Sequence, residues 1–241
     1  MTLMTLLPVR CPACRAAGSA PCQRCIVRMR PAVAGPPPAA LDVCRSLLAY
    51  EGEAREVVAR LKYRNDRAAL AWLADGMAAL MQPASGLVVT WAPTSRRRRR
   101  QRGFDQAELL AAAVARRWGA PCRRLLDRAP GPPQTGLSLA ARRRGPSFVP
   151  ARGRRAAPAL RPGPMVVVDD VVTTGSTLTA AAWALRATGS PWIGGLTAAR
   201  TPRMVVAPPV PSSAVPLSVP TAPPDVETLL KFRRQLADVQ R

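Results

Sequence analysis

Apolar residues recur at helical spacing in two stretches. Ala54, Val57, Val58 and Leu61 fall at i, i+3, i+4 and i+7, and Leu70, Leu73, Met77 and Leu80 form a second face after Asp66, a candidate N-cap. Each predicts an amphipathic helix. The pattern then changes to GLVVTW (86–91), a short β-branched run bounded by Gly86 and Pro93, as in a strand buried on both faces, and a basic loop follows it. Phe104 to Trp118 is Ala-rich and helical, and Cys122 to Leu126 reads as a second strand. Further along, MVVVDD (165–170) predicts a buried strand, Ser176 to Thr188 a helix stopped by Gly189 and Pro191, and WIGGLTAA (192–199) another strand.

Strands alternating with helices of this length predict an α/β fold with a doubly wound, mostly parallel sheet, which binds ligands at the carboxyl ends of its strands. The chemistry is therefore expected just after Trp91 and Asp170. Residues 1–35 form a small Cys-rich module and the start of a Pro-rich connector (31–40), residues 41–201 the main domain, and residues 202–241 a Pro-rich disordered tail. The tail ends in a possible short helix with Leu229, Phe232, Leu236 and Val239 on one face. The stretch 128–164, rich in Pro, Gly and Arg, is longer than an ordinary connection and calls for a functional explanation.

The chain has no histidine, which excludes Ser/His/Asp hydrolysis, His-ligated metal centres and Cys2His2 fingers. Neither lysine, Lys62 or Lys231, lies in a P-loop setting, so a P-loop ATPase is excluded too. No window holds the ~20 apolar residues of a membrane span, and the N-terminal stretch lacks signal-peptide features, so the expected location is the cytoplasm. The formal charge is +22, and residues 96–161 hold eighteen arginines against three acids, so a polyanion is a candidate partner. Solvated surface arginines would account for much of the same charge.

The strongest local signal is VVVDDVVTTGST (166–177). A hydrophobic strand carries Asp169 and Asp170 toward its carboxyl end, and Thr173, Thr174, Gly175, Ser176 and Thr177 follow where a helix begins. Glycine permits the tight turn, and backbone N–H groups, hydroxyls and the helix N-terminus can converge on one phosphate. Acids beside an anion site make sense if the ligand also carries hydroxyls or a metal. A ribose 5-phosphate fits: the turn takes the phosphate, and the two acids accept from ring hydroxyls or face Mg²⁺. Neighbouring strand residues point to opposite faces, so the two acids are expected to play different roles.

Cys11-x2-Cys14 and Cys22-x2-Cys25 form a minimal knuckle in which each pair clamps one side of a tetrahedral ion, with structural Zn²⁺ the natural occupant. Cys44 and Cys122 have no partner at ligand spacing and read as small core residues.

VVVDDVVTTGST resembles the signature of type I phosphoribosyltransferases. LKYRNDRAAL (61–70), APTSRRRRRQRGFDQAELLA (92–111) and QTGLSLAARRRGPSF (134–148) resemble segments of the ComF family within that fold, in the family's order. The resemblance covers about residues 11–200. It implies an amidophosphoribosyltransferase-like domain that binds 5-phosphoribosyl 1-pyrophosphate (PRPP) with Mg²⁺, and it includes an N-terminal zinc site. It also places Thr94, Ser95 and Arg96 in a pyrophosphate-binding loop. Arginine forks suit phosphate oxygens, so Arg96 and Arg102 are the residues of the basic run expected near the ligand, with Arg97 to Arg100 solvated. Gln134, Thr135, Gly136 and Ser138 correspond to the tip of a mobile loop that closes over the ligand. The implied roles are phosphoribosyl transfer to an unidentified acceptor, or PRPP binding without turnover in an accessory protein of competence and DNA uptake. The latter's partners would be single-stranded DNA or DNA-processing proteins. A plain zinc-dependent nucleic-acid binder remains a third reading, which leaves the segment 169–176 unexplained.

Overall fold

The computed structural model describes residues 8–129, 146–151 and 163–202. Gln134, Thr135, Gly136 and Ser138, and the tail beyond residue 202, lie outside the described residues. The elements begin with α1 (Gln23–Ile26), β1 (Val43–Ala49), α2 (Gly52–Arg64), α3 (Leu70–Ala79), β2 (Val88–Trp91), α4 (Arg96–Arg102) and α5 (Gln106–Trp118). There follow β3 (Leu126–Arg128), β4 (Phe148–Pro150), β5 (Met165–Val172), α6 (Ser176–Arg186) and β6 (Ile193–Arg200).

The fold is α/β. Four strands form a parallel sheet in the order β1-β6-β5-β2, and β3 and β4 form a separate antiparallel pair. Both faces of the sheet are covered. On one face Val57, Val58 and Leu61 of α2, Leu73 and Met77 of α3, and Leu110 and Val114 of α5 pack with Val89, Val166, Val168 and Leu196. On the other, Leu178, Ala181, Ala182 and Leu185 of α6 pack with Met165, Val167 and Ile193. Alternate residues of β5 thus feed two cores, as its period of two requires.

Several local expectations are corrected. β1 is a full strand that the hydrophobic pattern does not announce: Arg45 and Ser46 interrupt its apolar run. It lies at an edge, and Ser46 Oγ is satisfied by Thr197 Oγ1 at 2.7 Å. The expected strand at Cys122–Leu126 reduces to a single parallel bridge between Cys122 and Val89, and the strand that forms, Leu126–Arg128, pairs with β4. Asp66 does not cap α3. Its Oδ1 accepts from Ala68 N, and Ala69 holds the N-cap position. The basic run after β2 is the helix α4 rather than a loop, because Ser95 Oγ accepts from Arg98 N and Gly103 stops the helix at φ 77°.

Candidate functional site

The chain leaves β2 toward α5 on one face of the sheet and leaves β5 toward α6 on the other. From β2 the chain continues to the Cys122 bridge, away from β5, whereas β5 is followed by its neighbour β6. Such a divergence between adjacent strands opens a crevice at their carboxyl ends. Its depth comes from unequal strand lengths. The pairing of β2 with β5 ends at Trp91 and Val168, while β5 runs on beside β6 to Val172. Asp169 and Asp170 therefore lie just past the end of β2. An open crevice of about 230 Å³ is lined here by Tyr50, Lys62, Thr94, Gln106, Asp169 and Asp170, among others.

The two acids sit in different surroundings. Asp170 is 3% exposed. Its Oδ2 is 3.0 Å from Lys62 Nζ of α2 and accepts from Gln106 Nε2 of α5 at 2.9 Å. Burial opposes the charge on Lys62, but the carboxylate of Asp170 overcomes this and raises the lysine pKa. Asp169 is half-buried, and its Oδ1 accepts from the Asp170 N–H at 2.8 Å. Burial, and then the charge of Asp170, raise its pKa well above the ordinary carboxylate range. No ion pair engages Asp169 among the described residues.

Beyond β5 the chain turns through Thr173 and Thr174 to Gly175, whose φ of 83° is the left-handed conformation glycine tolerates. Gly175 is the N-cap residue of α6. Asp169, Thr173, Gly175, Ser176 and Thr177 line a small cavity of about 20 Å³ beside the turn. Thr174 does not line it. Its hydroxyl donates to Ser176 Oγ at 3.2 Å and accepts from Ser176 N at 3.4 Å, which stiffens the turn. Pro38 of the connector packs over the turn, so that a Cβ built on Gly175 would lie 2.8 Å from the proline ring. The connector thus packs against the turn.

The loop after β2 is held by Asp105, whose Oδ2 accepts from Thr94 N at 2.8 Å while its Oδ1 accepts from Ala107 N and caps α5. Thr94 lines the crevice, Ser95 caps α4, and Arg96 is exposed and does not line it. Arg102 lies with its guanidinium 4.9 Å from the centre of the Tyr63 ring and donates to Gln106 Oε1 at 3.2 Å. It acts on the crevice through Gln106. The arginines that line it are Arg98, expected to be solvated, and Arg128. The sequence reading also missed Lys62, Asp105 and Gln106. Asp105 and Gln106 carried a signal in the N-cap position of Asp105 before an Ala-rich helix, and Lys62 in being the lone lysine of the domain.

The four N-terminal cysteines come together with their Sγ atoms all within 4.8 Å of one another, and none forms a disulfide. Tetrahedral Zn²⁺ bonded at ~2.3 Å separates its sulfurs by about 3.8 Å, and Cys14 and Cys22 Sγ are 3.6 Å apart. The set fits a structural metal ion. Backbone hydrogen bonding at Ala16, then the side chain of Arg24, lower the Cys14 pKa to about 6, which favours a thiolate. Cys11 and Cys25 are buried in the same core cluster as Leu47, Val57 and Leu73, so an ion held here would tie residues 11–25 to the α2–α3 face of the sheet.

Among the described residues no helix is long and apolar enough to cross a membrane. No known family's profile matches the chain, and no curated protein does. Among solved structures it is similar to one described as the allosteric regulatory enzyme of purine biosynthesis, with 22% identity and a TM-score of 0.36 over 54% of this chain. The chain spans about a quarter, 25%, of that protein's length.

Proposed function

We propose that this protein binds PRPP in the manner of a type I phosphoribosyltransferase, as the ComF-like motifs imply, and transfers its phosphoribosyl group to an acceptor. One observation carries this reading. Asp169, which has no ion-pair partner among the described residues, lines both the cavity of the Gly175 turn and the larger crevice, so one ligand can meet an anion-binding turn and a carboxylate acceptor together. The turn takes the 5′-phosphate through Gly175, Ser176 and Thr177, at the positive end of α6. Asp169 accepts from the ribose hydroxyls. Asp170, already paired with Lys62, holds the neighbouring backbone in place and does not bind the ribose itself.

In the reaction, a bond forms between the acceptor and C1 of the ribose while the C1–oxygen bond to pyrophosphate breaks. Pyrophosphate leaves with the electron pair, and the acceptor's proton passes to solvent. Positive charge develops on the ribose in the transition state, and a carboxylate at Asp169 stabilises it. Mg²⁺ would arrive with the pyrophosphate and neutralise the leaving group, and oxygen ligands such as the Asp169 carboxylate suit it. In the N-terminal module, Cys11, Cys14, Cys22 and Cys25 would hold Zn²⁺ in a structural role.

A second reading, binding without turnover, is favoured by the crevice lining: its only carboxylates, among the described residues, are Asp169 and the ion-paired Asp170, which leaves no separate general base. A pyrophosphate-release assay over amine, base and hydroxyl acceptors separates the two. Release that depends on an acceptor establishes the transferase. Tight PRPP binding with no release under any acceptor establishes the silent binder.

A further inference from the structure

The connector that leaves the cysteine module is fixed at both ends and free between them. Met29, shortly after Cys25, is buried in the main core cluster. Arg30 O then accepts from Ala49 N at 2.9 Å, Ala32 N donates to Leu47 O at 3.2 Å, and Pro31 bridges Leu48, so the chain lies antiparallel along the free edge of β1. At the far end Pro38 packs on the Gly175 turn, and its carbonyl accepts from Leu41 N at 3.2 Å. Among the described residues no backbone–backbone hydrogen bond engages residues 33–37, all of which are exposed. Pro36, Pro37 and Pro38 have fixed φ angles, so this span is a stiff rod rather than a slack tether.

We propose that this rod makes the cysteine site an effector site for the Gly175 turn: a metal ion held by Cys11, Cys14, Cys22 and Cys25 raises the affinity of the turn for a phosphate group. The inference rests on the phosphoribosyl reading, which seats the 5′-phosphate at that turn. The rod has two states, docked on the turn or lifted from it, and both sites bear on the balance between them. On the turn side, the Pro38 ring closes on the left-handed Gly175, 2.8 Å from where a Cβ would sit, and restrains the backbone whose N–H groups must converge on the anion. On the module side, the ion pairs Arg15–Asp66 at 3.3 Å, Arg28–Glu53 at 3.4 Å and Arg30–Glu51 at 3.9 Å each use an exposed arginine and hold the module only weakly. Firm anchoring falls to the four thiols, of which Cys11 and Cys25 are buried. With metal bound, the start of the rod is fixed and its far end stays docked. Without metal the module loosens, the prolines cannot absorb the displacement, and the turn loses its restraint. Such coupling is reciprocal, so phosphate at the turn also tightens metal binding.

The test uses the full chain, zinc-loaded and chelator-stripped, with folding checked by circular dichroism and ribose 5-phosphate as the probe. The parent is compared with the double variant Pro36→Gly, Pro37→Gly, in which only exposed residues change and Pro38 and all four cysteines remain. Calorimetry should show the loaded parent binding ribose 5-phosphate about fivefold or more tightly than the stripped parent. Chelator competition should show zinc affinity rising by the same factor in saturating ribose 5-phosphate. In the variant neither factor should exceed about twofold. Coupling through global stability alone would survive in the variant, because its metal site and its turn are untouched. Where the stripped parent does not fold, the loaded proteins decide: at equal zinc content the variant should bind ribose 5-phosphate about fivefold more weakly than the parent, and equal affinity overturns the coupling. Zinc-independent affinity in the folded parent, or coupling of equal size in the variant, also overturns it and leaves the phosphoribosyl reading standing. No ribose 5-phosphate binding by the loaded parent overturns both.

Discussion

Lys62 Nζ lies 3.0 Å from Asp170 Oδ2, so the second acid of the motif is ion-paired to a helix that covers one face of the sheet. The lysine comes from α2 and the acid from β5, with Gln106 of α5 completing the acid's partners at 2.9 Å. Together these residues join three elements in the crevice lining. Asp169, one residue before Asp170, has no ion-pair partner among the described residues.

Different roles for adjacent acids predict different losses. Asp170→Asn leaves Lys62 largely buried without its counter-charge and should cost about 2–3 kcal/mol of stability. Asp169→Asn, which removes a disfavoured charge, should not lower the denaturant midpoint while weakening PRPP binding. Urea unfolding of the two variants, followed by ligand titration of each, measures both effects.

The raised pKa of Asp169 has a sign that can be checked. In the free protein, burial and the charge of Asp170 keep a proton on Asp169 above the ordinary carboxylate range. That retained proton favours the folded state at low pH, and the benefit is lost as pH rises through the raised value. Accepting from ribose hydroxyls requires the carboxylate, so ligand binding should expel the proton and affinity should rise with pH across the same window. Titration in buffers of different ionisation enthalpy should show a proton release that Asp169→Asn abolishes. The ligand's own phosphates titrate in both proteins, so the difference between them isolates Asp169.

Three of the four strands of the parallel sheet and the two cysteine pairs were legible in the sequence because each rests on a short-range pattern. The run MVVVDD reads as a buried strand, and CxxC spacing brings two thiols together by local geometry alone. Features decided by tertiary contacts were not legible. β1 carries Arg45 and Ser46 inside its run and forms because β6 supplies a partner strand, with Thr197 opposite Ser46. That Arg98 rather than Arg96 lines the crevice depends on the helix that Ser95 nucleates, and the pairing of Lys62 depends on a residue 108 positions away.

Gly175 is constrained twice, by its φ of 83° and by Pro38, 2.8 Å from where a Cβ would sit. Gly175→Ala should therefore strain the turn by about 1–2 kcal/mol and weaken ribose 5-phosphate binding. Adding Pro38→Ala should recover the part due to the clash and not the part due to backbone strain. Calorimetry on the single and double variants distinguishes the two parts.

Purified protein should contain about one zinc ion per chain by elemental analysis. Removing it with a chelator, or replacing Cys25 with Ser, should lower the melting temperature by at least ~5 °C, because Cys11 and Cys25 are embedded in the main core cluster. A chain with no bound metal and an unchanged melting temperature in Cys25→Ser would count against the site.

The central claim is that Asp169 and the Gly175 turn recognise a phosphoribosyl group. It is tested most directly by titrating PRPP with Mg²⁺ into the parent and into Asp169→Asn, both verified as folded. The parent should bind with one site per chain, and Asp169→Asn should bind about 10- to 100-fold more weakly, the range for losing a charge-assisted hydrogen bond. Equal affinity in the two folded proteins, or no binding by the parent, would contradict it.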